Sequence, residues 1–230
     1  MKNKRLFSVL SLVINLIIFM LMAHTLINNF RTDILRDSDL LESGGWVSFR
    51  YFTMLSNVLA AVAAAVIAFF DVKNLLKDTY VFPRWALLLK YAGTVAVTLT
   101  LMTVVVFLSP VVEVMGYGYF SLFRNENFFL HFLSPVLAIV SFVCFERIEN
   151  FKFTETLYGV IPTVLYSFLY LPMVVFVGEE NGGWPDFYML TFGGRMWVIP
   201  ISFIVMYGAT FGFAVAERAL QKAVAKKLIL

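Results

Sequence analysis

Two short stretches of an otherwise apolar chain carry the residue types that do chemistry. The first is Arg50-Tyr51-Phe52-Thr53-Met54-Leu55-Ser56-Asn57; the second is Asn127-Phe128-Phe129-Leu130-His131-Phe132-Leu133-Ser134-Pro135. On an α-helix Thr53, Ser56 and Asn57 stand at i, i+3 and i+4 and so share a face, with Arg50 one turn above them. Asn127, His131 and Ser134 repeat that arrangement. A threonine hydroxyl is a poor nucleophile until a base takes its proton during attack, and neutral imidazole, pKa about 6.5, is the usual base at neutral pH. The resulting oxyanion needs donors, which Asn57, Asn127, Ser56 or Tyr51 would supply. No carboxylate is placed to orient the imidazole, since Glu126 lies five residues from His131 and off its helical face. The chemistry legible here is a Thr53/His131 dyad rather than a triad, with Ser134 and His24 as further members of a substrate pocket.

Each of these residues also has a plain structural reading. A transmembrane Thr or Ser commonly bonds the carbonyl one turn back on its own helix. A histidine near a helix end reaches interfacial water. Two histidines without neighbouring Asp, Glu or Cys make a poor metal site, and hydrolysis needs only water, so neither metal nor cofactor is expected.

The elements that must position these residues follow from composition. The 230 residues are 60% hydrophobic and only 14% charged, against about 45–50% and about 25% in soluble domains. The excess apolar surface must face lipid. Six blocks approach the roughly 20 apolar residues that a bilayer core requires of a helix: Leu6–Ile27, Phe49–Phe70, Trp85–Leu108, Asn127–Phe145, Leu157–Val177 and Met196–Ala216. Alternating polarity is absent, which argues against a β-barrel, and backbone groups in lipid must be satisfied within the segment. The sequence therefore predicts an all-α, polytopic bundle of six transmembrane helices forming one domain over residues 1–230. Its first span is too long for a signal peptide and is read as retained.

Lys and Arg set the orientation. Lys2, Lys4, Arg5, Lys73, Lys77, Arg84, Arg147, Lys152, Arg218, Lys222, Lys226 and Lys227 fall on one side; Arg31, Arg36, Arg124 and Arg195 fall on the other. Both termini are thus expected in the cytoplasm, with Asp33, Asp37, Asp39, Glu42, Glu179, Glu180 and Asp186 outside. Trp46, Trp184 and Trp197 suit one aromatic belt and Trp85 the other. The net charge of +3 is too small and scattered for a nucleic-acid partner, and Cys144, the single cysteine, excludes an internal disulfide. Ala60, Ala64 and Ala68, like Gly208, Gly212 and Ala216, predict close helix packing within the chain. Pro162, Pro172 and Pro200 predict bends. Deep carboxylates are missing from the predicted spans, and Lys90 is read as snorkelling to the cytoplasmic surface.

The segments Tyr51-Phe52-Thr53-Met54-Leu55-Ser56-Asn57 and Asn127–Pro135 resemble the signature segments of bacterial Pr6Pr-type membrane proteins. These are similar to the androgen-induced and androgen-dependent TFPI-regulating proteins of animals. The loop Gly183-Trp184-Pro185-Asp186-Phe187-Tyr188, with Gly193-Gly194, is loosely similar to an aromatic-proline outer loop of the bacterial group. The resemblance implies an intramembrane threonine hydrolase acting on fatty acyl esters, with Thr53 and His131 at the threonine and histidine positions; Ser56-Asn57 follow the bacterial form rather than the animal one. The expected function is hydrolysis of a lipid ester near the outer leaflet of a bacterial plasma membrane. The alternative is a non-catalytic binder or transporter of a small amphiphile using the same pocket.

Overall fold

The computed structural model describes residues 2–31 and 44–228. Arg36 and the acids Asp33, Asp37, Asp39 and Glu42 lie outside those residues, as do the side chains of Lys2, Lys4 and Lys227. All regular structure among the described residues is helical. Six helices are long and apolar enough to cross a membrane: α1 (Lys2–Arg31), α2 (Phe52–Lys77), α3 (Arg84–Val114), α4 (Glu126–Cys144), α5 (Phe153–Val177) and α6 (Ile199–Leu228). The chain has the build of an integral, multi-pass membrane protein. Its outward surface agrees, since Leu6, Phe19, Leu165, Phe168, Ile204 and Val205 stand exposed where lipid would cover them.

Helix α3 is the hub, packed against α2, α4, α5 and α6, with Ala86, Tyr91, Val95, Ala96 and Val97 all fully buried. Its approach to α2 depends on small residues. A Cβ on Gly93 would lie 3.1 Å from the Ala60 Cα, and Ala60, Ala64 and Ala68 are all buried. The second predicted stripe behaves differently. Gly208, Gly212 and Ala216 face outward, and added Cβ atoms at the two glycines would meet nothing. Trp184 also departs from expectation: instead of facing lipid it packs between Tyr170 and Phe187. Trp46 and Trp197 at one end and Trp85 at the other remain exposed.

Three helices contain a wide π-helical turn: Val104–Leu108 in α3, Phe129–Leu133 in α4 and Pro172–Val177 in α5. The first two share a cause. Each runs into the α-helix after it through Phe-Leu-Ser-Pro (residues 107–110 and 132–135), and proline has no N–H to offer the carbonyl five residues back. The carbonyl freed by Pro110 is that of Val105, which accepts the Tyr119 hydroxyl at 2.8 Å. The one freed by Pro135 is that of Leu130, which accepts the Asn57 amide at 3.0 Å. Of the three prolines expected to bend helices, Pro162 lies inside α5 and Pro172 opens its wide turn. Pro200 sits in the first turn of α6, where no intrahelical bond is lost.

Candidate functional site

The amino end of α2 is assembled by a distant loop. A 3-10 turn, Gly45–Arg50, leads to Tyr51, whose extended backbone precedes the helix and carries no capping side-chain bond. The orphan N–H of Phe52 is taken by the Tyr188 phenol oxygen at 3.1 Å, so a residue 136 positions away serves as the cap. The side chain and N–H of Thr53 bear on the same phenol. Burial pushes the Tyr188 phenol up to about 12, against the opposing pull of the Phe52 N–H and Thr53, so it stays protonated.

Thr53 opens onto a cavity of about 400 Å³ lined by α2, α3, α5, α6 and the loop over residues 178–195. The walls are mainly apolar (Leu99, Phe107, Leu190, Met206), with Thr100, Thr103, Tyr166 and Ser202 as sparse polar points. That is the usual make-up of a site for an apolar ligand with one polar end. The loop forms its roof and is held by Asp186. One Asp186 oxygen accepts the Leu190 N–H at 2.7 Å and the Tyr170 hydroxyl at 3.0 Å. The other accepts the Thr191 N–H and hydroxyl, both at 2.7 Å. Gly183 lets the loop close on α5, because a Cβ there would fall 2.2 Å from the Met173 carbonyl oxygen.

His131 sits inside the wide turn of α4, buried, with its ring edge-on to Phe123. Its Nδ1 lies 2.6 Å from the Leu122 carbonyl oxygen. A carbonyl only accepts, so Nδ1 carries the proton and Nε2 keeps a lone pair. Among the described residues Nε2 makes no hydrogen bond. The orienting acceptor missing from the sequence is therefore a backbone carbonyl. Glu126 instead accepts from Asn28 at 3.1 Å.

Asn57 ties the two stretches together. Its Nδ2 donates to the Thr53 carbonyl at 2.8 Å and to the Leu130 carbonyl, so the backbones of Thr53 and of the residue before His131 are separated by one nitrogen. The other predicted site residues scatter. Ser56 is buried against the Thr100 hydroxyl at 2.8 Å. Tyr51 packs on Phe187, and Ser134 is buried in α4. Asn127 is half-buried at the start of α4. His24 is exposed, 2.9 Å from Asn28 on α1, and is no pocket member. Of the predicted set only Thr53 lines the cavity; His131 is not on its wall.

Two features escaped the sequence. Tyr188 and Asp186 lie in the aromatic-proline loop, which by itself gave no sign of reaching α2. The second is a polar cluster at the basic end of the bundle. Lys90 does not snorkel: it is 1% exposed, with Nζ 3.7 Å from Glu146 and 2.5 Å from the Asn15 side-chain oxygen. Nor is the interior free of carboxylates, for Asp71 and Glu146 are fully buried and Glu217 nearly so. Among the described residues no group of His, Cys, Asp and Glu is arranged to hold a metal ion. Compared with protein-family models, curated proteins and solved structures, the chain matches none of them.

Proposed function

We propose that this protein is an intramembrane hydrolase of lipid acyl esters, with Thr53 as nucleophile and His131 as base. One observation carries the reading: Thr53 lines an apolar cavity, and the Asn57 amide joins its backbone to that of the residue before His131, an imidazole whose tautomer leaves Nε2 bare. The acyl chain lies in the cavity with its ester at Thr53. Attack of Thr53 Oγ on the carbonyl carbon passes its proton to His131 Nε2. The Tyr188 hydroxyl, protonated and beside Thr53, is placed to donate to the oxyanion. Collapse expels the alcohol, which takes the proton from His131, and water then hydrolyses the acyl-threonine by the same steps. The likeness of the two polar stretches to those of intramembrane threonine hydrolases supports the assignment. The excess of Lys and Arg at the opposite end supports a reaction near the outer leaflet, and the likeness to bacterial sequences supports a bacterial plasma membrane.

A second reading, a binder that holds an amphiphile without cleaving it, is favoured by the absence of His131 from the cavity wall. One experiment separates the two. Full-length protein in lipid nanodiscs is given long-chain acyl esters and a fluorophosphonate probe, and the lipid that copurifies is identified by mass spectrometry. Hydrolysis predicts turnover and labelling that fall by roughly 10²–10⁴-fold in Thr53→Ala and His131→Ala. Turnover and labelling unchanged in both variants would sink the dyad. Intact ester recovered from parent and variants alike would establish the binder.

A further inference from the structure

At the basic end, on the far side of the bundle from the cavity, four helices turn polar side chains toward one another. Ser8, Ser11 and Asn15 line one face of α1, Asp71 and Asn74 one face of α2, and Lys90 comes from α3. Ser141 and Glu146 close the group from the end of α4, and every one of these residues is at least 97% buried.

The two carboxylates are served unequally. Glu146 Oε1 accepts Asn15 Nδ2 at 2.6 Å and Ser141 Oγ at 2.5 Å, with the Lys90 ammonium at 3.7 Å. Asp71 accepts one bond, from Ser11 Oγ at 2.6 Å through Oδ2. Its Oδ1 is buried with no partner, as are Glu146 Oε2 and Ser8 Oγ. The charged groups facing Asp71 are Glu146 and Lys90, and the protonated Tyr80 phenol, which donates to the Phe145 carbonyl, stands beside them. Two acids and one base leave the chamber one positive charge short. Lys90 is already committed to Glu146 and Asn15.

An uncompensated carboxylate in a bundle interior is not sustained. Two things would neutralise it, a metal cation or a proton. The Lys90 ammonium repels the first, and among the described residues no group of His, Cys, Asp and Glu is arranged to hold a metal ion, whereas a proton needs no such group. We propose that this chamber is a proton-binding site, with Asp71 holding one exchangeable proton at neutral pH while Glu146 and Lys90 remain an ion pair. Loss of that proton at alkaline pH places a second carboxylate beside the ammonium. Lys90 is then shared between α2 and the end of α4, which makes the packing of α1, α2 and α4 responsive to pH.

The test is infrared difference spectroscopy of the full chain in nanodiscs, stepped from neutral to alkaline pH. The readout is the carbonyl stretch of a protonated carboxylic acid. Glu217, also buried with a bare oxygen, contributes its own band, so the parent is prepared with isotopically labelled aspartate as well. A label-sensitive band present at neutral pH, lost at alkaline pH and missing from Asp71→Asn supports the site. The labelled parent needs no mutation, so the outcome does not depend on the variant folding. No label-sensitive band at neutral pH, or one that persists in Asp71→Asn, overturns the proposal. A band that appears only when sodium is replaced by a bulky organic cation also overturns it, by showing that a metal cation takes the place.

Discussion

Replacing Asp186 by alanine should open the roof of the cavity while leaving the bundle intact. The carboxylate accepts four hydrogen bonds, and two of their donors are the backbone N–H groups of Leu190 and Thr191, residues 6% and 5% exposed. The Tyr170 hydroxyl keeps the Tyr188 N–H as donor, and the Thr191 hydroxyl remains bonded to the Gly194 N–H, so these two lose less. Two buried N–H groups left without acceptors cost about 1–3 kcal/mol each, or roughly 2–6 kcal/mol together. The same loop holds Met189 and Phe192 in left-handed conformations (φ 53° and 46°), which cost about 1–3 kcal/mol apiece and are sustained only while the clamp holds. Hydrogen–deuterium exchange in nanodiscs reads the result. Amides across residues 186–194 should exchange roughly 30-fold to 10⁴-fold faster by that energy, with α2 and α3 unchanged. Asp186→Asn, which keeps one acceptor but turns an amide NH₂ toward the Thr191 N–H, should fall between. Unaltered protection of the loop would refute the clamp, and an equal loss throughout the bundle would show that the roof is not a separable unit.

Two further outcomes follow from groups already described. Lys90→Met strands the buried Glu146 carboxylate and should cost about 3–5 kcal/mol, whereas adding Glu146→Leu should restore part of it; equal or greater loss in the double variant, by thermal melting, would contradict a coupled pair. Tyr188 titrates near 12 when folded against about 10 when unfolded. A raised phenol pKa favours folding below the unfolded value and loses that contribution as pH climbs through the folded one. Stability should therefore decline between about pH 10 and 12, and this slope should flatten in Tyr188→Phe.

What the sequence disclosed and what it hid divide along physical lines. Hydropathy sums over a whole span, so six crossings were legible despite ragged ends. The ends themselves misled. Asp71, Glu146 and Glu217 each directly follow the last residue of a predicted span, at Phe70, Phe145 and Ala216, because an apolar run stops at the first carboxylate whether or not the bundle does. Lys90 looked like a surface lysine, although α3 is covered on several sides and gives its side chain no path to water. The stripe of Asn127, His131 and Ser134 assumed an unbroken α-helix, and the wide turn at Phe129–Leu133 breaks that register. The repeated Phe-Leu-Ser-Pro was the available sign of that turn. That Thr53 and Asn57 share a face was readable because α2 is regular through them. Tyr188 and Asp186 were not, since nothing local in a loop tells which helix end it will cap.

The wide turn in α3 also divides that helix into two parts that need not keep step. A π turn carries one more residue than an α turn, and one residue is about 100° of rotation. Shortening α3 by a single position there would swing the segment beyond it, past Phe107 and Leu108 of the cavity wall, by that angle, while Lys90, before the turn, stays in place. The phase of α3 beyond the turn is thus set independently of its phase around Lys90, so that part of the cavity wall is free to be reshaped without re-cutting the polar cluster.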